Sequence, residues 1–214
     1  MSTEINITKN LTLTTTGTSG ASTLVGTTLN IPQYSGGGGG GIHALLNPGS
    51  GFVVSNNFSG AGFASTLQIP NRIVLSPFIP GKPFTSSNFL IRVFGNVAPL
   101  TFSKILVYSD LNGRPDTLLY ESTDLDCSTT GTKTVLNSFS FTAGQIYWLG
   151  YWSNSNPQIF TMAASNMYCL RNQGAIPNPG NIVSVTITYG SAPTTLTGTS
   201  ESLNTMPFIG ITQA

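Results

Sequence analysis

The sequence predicts an all-β protein, in which an extended N-terminal β stem or arm precedes a jelly-roll-like antiparallel β-sandwich. Three observations support this prediction. Only 7% of the 214 residues are charged, so the Lys, Glu and Arg that normally cover helices are scarce. The chain holds 29 Thr and 24 Ser, and Thr favours strands through its branched Cβ. Short apolar runs, broken by Gly and Pro, recur at roughly 8–12-residue spacing, as in a sandwich.

Residues 1–35 are predicted to be an anchoring and trimerising arm. Short strand-like pieces rich in Thr alternate with Gly and Ser turns, and the apolar side chains are few. Ordering each residue costs roughly 1–2 kcal/mol, so a single copy lacks the apolar surface to order this segment. We therefore expect it to share a seam with sister copies, or to lie across a partner surface, through Leu11, Leu13, Leu24, Val25, Leu29, Ile31 and Tyr34.

Six consecutive glycines, residues 36–41, separate this arm from the rest of the chain. A glycine run packs no side chains and loses much backbone entropy on ordering, which is typical of a linker. The sequence thus predicts three parts: the arm, a Gly-rich linker over residues 36–49, and a β-sandwich head domain over residues 50–214.

The head is predicted from alternating apolar residues. Phe89, Ile91 and Val93 alternate with other residues, as expected of a half-buried strand, whereas residues 104–108 form a near-continuous apolar run, as expected of a strand covered on both faces. The predicted strands are 63–69, 72–79, 89–94, 104–108, 117–121, 134–141, 145–152, 158–163, 183–189 and 207–212.

Charge and motif content exclude several classes of function. A net charge of +1 removes the basic surface of a nucleic-acid-binding protein, and no apolar run is long enough to span a bilayer. Residues 1–9 lack the regions of a signal peptide, so we expect no Sec export. The single histidine, His43, has no nucleophile motif or metal-like cluster around it. We therefore expect no enzyme activity, no cofactor and no metal.

Two features leave alternatives open. Five of the seven acidic residues lie between Asp110 and Asp126, a region where the Asn112-Gly113 pair favours a tight hairpin turn, although a bound cation remains an alternative. Cys127 and Cys169 are predicted to be buried thiols, and their pairing in a disulfide is the alternative.

Residues 147–152 hold both tryptophans of the chain. In a strand, Trp148 and Trp152 share one face, and Tyr147 and Tyr151 share the other. One face must enter the core. The other is either a second buried face or a platform for stacking a sugar ring, and the candidate glycan-stacking residues are Tyr147, Tyr151, Trp152 and Asn154.

Two stretches resemble known virion proteins. Residues 14–37 (TTTGTSGASTLVGTTLNIPQYSGG) resemble a segment that recurs in fibre and appendage proteins of tailed bacteriophages. Residues 105–122 (ILVYSDLNGRPDTLLYES) and 141–150 (FTAGQIYWLG) are similar to a β-sandwich module of phage structural proteins and some bacterial surface proteins. Asp116 stands where that module usually has Gly, so the turn geometry is expected to differ there. The matches cover under a third of the chain.

The resemblance implies a homotrimeric protein on the exterior of a virion, assembled in the host cytoplasm, and it transfers no catalytic residue. Its expected partners are copies of itself, other virion proteins bound through residues 1–35, and a host surface glycan. The leading interpretation is a tail fibre or appendage for host attachment. The alternatives are a capsid decoration protein that clamps neighbouring capsomers and a free-standing lectin-like domain.

Overall fold

A computed structural model describes residues 12–14, 22–31, 53–55, 63–163, 182–201 and 205–214. The chain divides into two compact units, Met1–Gly40 and Gly41–Ala214, with the boundary inside the predicted glycine linker. In chain order the described strands are β1 Thr12–Thr14, β2 Thr23–Val25, β3 Thr28–Asn30, β4 Val53–Ser55, β5 Phe63–Leu67, β6 Arg72–Phe78, β7 Phe84–Gly95, β8 Phe102–Leu111, β9 Arg114–Glu121, β10 Leu125–Asp126, β11 Gly131–Leu136, β12 Ser140–Phe141, β13 Tyr147–Ser153, β14 Gln158–Ala163, β15 Val183–Thr186, β16 Ser200–Glu201, β17 Thr205–Pro207 and β18 Gly210–Gln213.

The N-terminal unit contains a three-stranded sheet in the order β1-β3-β2. Strands β2 and β3 form an antiparallel hairpin, and β1 runs parallel to β3 on its other side. Gly26 lies in the hairpin turn at φ +61°, a left-handed conformation that glycine adopts without steric cost.

The second unit is a β-sandwich of two sheets, which confirms the all-β prediction. The first sheet contains β8, β13, β6, β15 and β16 in that order, and β9 and β10 also pair with β8. The second is built around β7, which pairs with β11, β12, β14 and β18. All the described pairings of these two sheets are antiparallel, and the chain passes repeatedly from one sheet to the other.

The core between the sheets is apolar and rich in aromatic rings. Ile105, Val107 and Leu149 enter it from the first sheet, and Phe89 and Ile91 enter it from β7. At one end, the rings of Phe78, Phe84 and Phe141 meet at centroid distances of 4.9–6.3 Å, mixing stacked and edge-to-face contacts, geometries that aromatic pairs prefer.

Three predicted strands are shorter than expected or divided. The predicted strand 134–141 is two strands, with β11 ending at Leu136 and β12 beginning at Ser140, and the predicted strand 207–212 is divided between β17 and β18. The predicted strand 183–189 ends at Thr186, because the chain then leaves the edge of β6 and crosses the outer face of the first sheet.

Residues 187–199, called the strap below, follow this path. Backbone hydrogen bonds join Ile187 to Asn71 and Leu118 to Thr194, and Thr117 pairs with Thr195. Beneath the strap lies a second apolar cluster, in which Ala192 and Leu196 of the strap pack with residues of β6, β8, β13 and β15. The central strands β6 and β13 of the first sheet are therefore buried on both faces.

Candidate functional site

The predicted glycan-stacking aromatics lie inside the protein. Tyr147, Tyr151 and Trp152 are all buried, and Trp152 has no exposed surface. The predicted division of faces is correct, since Tyr147 and Tyr151 lie in the core between the sheets, whereas Trp148 and Trp152 lie under the strap. The predicted stacking platform on these rings is nevertheless wrong, because a sugar ring cannot reach any of them.

The polar atoms of these aromatic side chains already have partners. The indole Nε1 of Trp152 donates to the carbonyl of Ile187 at 3.2 Å, and the Tyr151 hydroxyl lies 2.8 Å from Ser103 Oγ. Burial raises the pKa of the Tyr151 hydroxyl well above its ordinary value. The ring of Tyr189 in the strap packs on Trp152 with centroids 4.9 Å apart. The aromatic strand thus joins the two cores of the head.

Asn154, the polar residue predicted beside the platform, fastens a loop. Its side-chain oxygen accepts from the backbone N–H of Phe102 at 2.8 Å, and its amide nitrogen donates to the carbonyl of Leu100 at 2.9 Å. These two bonds hold Leu100, whose φ of +61° is uncommon for a residue with a bulky side chain. In this structure Asn154 is a structural residue of the loop between β7 and β8.

The acidic residues between Asp110 and Asp126 accept hydrogen bonds within the head. Asp110 accepts from the Trp148 indole at 2.8 Å and from the backbone N–H of Gly113 at 3.1 Å. Asn112 and Gly113 both have positive φ, as the predicted hairpin turn requires. Within the described residues, no group of three or more His, Cys, Asp or Glu side chains is arranged to hold a metal ion.

Glu121 and Asp124 hold the strap. Lys104 Nζ lies 2.6 Å from Glu121 Oε1 and donates to the carbonyl of Gly190 at 2.6 Å, while Glu121 Oε2 accepts from the backbone N–H of Ala192. The Tyr189 hydroxyl donates to Asp124 at 2.8 Å. Burial is the main cause that raises the pKa of Tyr189, and this hydrogen bond to a carboxylate raises it further. The hydroxyl therefore stays protonated.

Cys127 is a buried free thiol, as the sequence predicted. Its Sγ lies 3.3 Å from Ser103 Oγ, and burial is the main cause that raises the pKa of the thiol. A thiol with a raised pKa is a poor nucleophile at neutral pH. Cys169 and His43 lie outside the described residues.

The predicted seam residues of the arm are divided between two faces of the N-terminal sheet. Leu24 is a direct cross-strand partner of Leu29, so both side chains point to the same face, and Val25 points to the opposite one. Leu24, Val25 and Ile31 are 59%, 76% and 40% exposed. Leu11 and Tyr34 lie outside the described residues.

The strap is the feature that sequence reasoning missed. Ile187 and Tyr189 continue the alternation of Val183 and Val185, which predicted a strand over residues 183–189. Ala192 and Leu196 lie beyond Gly190 and on either side of Pro193, where they follow neither a strand nor a helix period.

No protein-family model matches the chain, and no curated protein matches it. Among the described residues, no helix is long and apolar enough to cross a membrane.

Proposed function

We propose that this chain is a non-enzymatic structural protein on the exterior of a bacteriophage virion, a fibre or appendage whose N-terminal arm anchors it and whose β-sandwich is displayed. The proposal combines the resemblance of residues 14–37 to phage appendage proteins with one structural observation. The N-terminal sheet is small, and it exposes Leu24, Val25 and Ile31 in a single copy of the chain.

This observation favours attachment because a sheet must bury its apolar face against another layer to be stable. Of the apolar residues in this sheet whose burial is described, Leu24 and Val25 are exposed and Leu29 is half-buried. We propose that another molecule supplies the layer that covers this sheet, which is what an anchoring segment requires. A homotrimer and neighbouring virion proteins are the partners we propose.

The head suits display rather than catalysis. Both faces of β6 and β13, the central strands of its first sheet, are covered, and Asp110, Glu121 and Asp124 are engaged in hydrogen bonds that hold turns and the strap. Burial of the aromatic strand also removes the stacking residues on which the lectin-like alternative depended.

The test is the location of the chain on particles. Antibodies against the head, conjugated to gold, would be applied to particles purified from a lysate of bacteria that produce this chain from a phage genome. We expect gold on the tail or its appendages. Gold on capsid faces would contradict the fibre assignment and favour the capsid decoration protein, and a chain found only in the particle-free fraction would contradict a virion role altogether.

A further inference from the structure

The register of the N-terminal sheet places leucines in a row across its three strands. Leu13 is the direct partner of Leu29, and Leu29 is the direct partner of Leu24. Direct partners in neighbouring strands lie on the same face of a sheet. The positions Leu13, Leu29 and Leu24 therefore share one face, which we call the leucine face.

The opposite face is mostly polar. It carries the partners Thr12, Thr28 and Val25 in one row and Thr14, Asn30 and Thr23 in the next. The Thr14 hydroxyl lies 3.3 Å from the side-chain oxygen of Asn30. Because threonine and asparagine hydrogen-bond well to water, this face is suited to solvent, whereas the leucine face needs a covering layer.

The charge pattern indicates which molecule covers the leucine face. From residue 10 to residue 71 the chain contains no Asp, Glu, Lys or Arg. Close to the axis of a symmetric assembly each group lies near its own counterpart, so a charged group there would cost like-charge repulsion, and this segment carries none. A partner recognised by complementary charge would have no group to bind here.

We infer that the leucine face is the contact through which copies of this chain associate, with the leucine rows packed together and the threonine face turned to water. The inference rests on the proposed role of the arm and names its partner as another copy of the chain. Apolar burial supplies the free energy of association.

Two adjacent residues of β2 provide a matched test. Leu24→Ser changes the leucine face, and Val25→Ser changes a more exposed residue on the opposite face. The full-length proteins would be compared by sedimentation velocity over a range of concentrations. We expect wild type to sediment as three chains of 22.5 kDa. Leu24→Ser should raise the concentration of half-dissociation about tenfold or more, whereas Val25→Ser should change it less than about threefold.

Two controls keep the test independent of misfolding. Trp148 and Trp152 are buried in the head, so their fluorescence reports whether the sandwich of each variant is folded. Leu24→Met keeps an apolar side chain of similar volume, and we expect it to associate like wild type.

Three outcomes would overturn the inference: a wild-type chain that is monomeric at every concentration, a Leu24→Ser variant that associates normally, or a Val25→Ser variant that dissociates as much as Leu24→Ser. Failure here is distinguishable from failure of the proposed function. Gold labelling reports location, so a chain absent from particles can still associate through Leu24, and a virion protein can still be monomeric in solution.

Discussion

At the scale of single residues, carboxylates hold the turns of the head in place. Asp110 is the clearest example, because one oxygen accepts from the indole of Trp148 and the other from the backbone N–H of Gly113. Asp116 belongs to the same hairpin, and its carboxylate accepts from the hydroxyl of the neighbouring Thr117. The Asp110 side chain thus joins the hairpin turn to a buried tryptophan, whereas the Asp116 side chain accepts from its neighbour in sequence.

We therefore expect Asp110→Ala to lower the free energy of unfolding by about 1–3 kcal/mol, because the indole N–H of Trp148 loses its acceptor in a largely buried position. Asp116→Ala should change it by less than about 0.5 kcal/mol. Urea unfolding followed by tryptophan fluorescence measures both. Equal effects of the two substitutions would contradict the role assigned to Asp110.

Asp126 gives a prediction about pH. The hydroxyl of Ser128 donates the hydrogen bond that lowers the pKa of this exposed carboxyl most, and the backbone N–H of Ser128 donates a second one. Together they hold the pKa below its usual 3.8. A lowered pKa in the folded state means that the ionised form contributes stability at pH values above the ordinary pKa. That contribution is lost as the pH falls through the lowered pKa.

NMR titration of the Asp126 carboxyl should therefore find a pKa below 3.8 in wild type, and a higher one in Ser128→Ala, where the hydroxyl donor is removed. A wild-type pKa above 3.8 would show that Ser128 does not stabilise the carboxylate.

At the scale of elements, the strap decides how the first sheet is covered. Leu196 and Ala192 belong to one buried cluster with Trp148, Trp152 and Leu106, on the face turned away from the second sheet. Gly150, between the two tryptophans, leaves room for this packing, because a Cβ there would lie 3.1 Å from that of Leu106. The strap thus turns the outer face of a sheet into a second core.

Leu196→Ala should lower the free energy of unfolding by about 2–4 kcal/mol, through lost apolar burial and the cavity left behind. It should also increase acrylamide quenching of tryptophan fluorescence, since the cover over Trp148 and Trp152 is loosened. Thr197→Ala, at the exposed neighbouring residue, is the control and should leave both quantities nearly unchanged. Unaltered quenching in Leu196→Ala would mean that the strap does not shield the tryptophans.

At the scale of the whole molecule, charge is concentrated in one unit. Apart from Glu4 and Lys9, every Asp, Glu, Lys and Arg of the chain lies at or beyond Arg72. The described strands of the N-terminal sheet therefore present apolar, hydroxyl and amide groups, none of them charged. Association through this sheet should depend on apolar burial rather than on ion pairs.

Raising the NaCl concentration from about 0.05 M to about 1 M, which shortens the Debye length from roughly 14 Å to 3 Å, should not dissociate the assembly. Sedimentation velocity at the two salt concentrations measures this. Dissociation at high salt would indicate that charged groups, rather than the leucine face, hold the copies together.

Local sequence alone predicted the fold class and several of its details. The scarcity of helix-forming charged residues predicted an all-β chain, and Asn112-Gly113 predicted the hairpin turn, because few residue pairs adopt two consecutive positive φ angles readily. The alternation in residues 147–152 correctly divided the tyrosines from the tryptophans. All three depend on backbone preferences or on period two, which are local properties.

Only the tertiary structure shows which residues cover each face of a strand. Nothing near Trp148 and Trp152 in sequence shows that Leu196, more than 40 positions later, joins them in one buried cluster, so the sequence leaves a sugar platform open as an alternative to a second buried face. Similarly, the strand register, rather than composition, separated Val25 from Leu24 and Leu29. Alternation assigns a side chain to a face, whereas the cover over that face comes from long-range packing, which depends on the path of the whole chain.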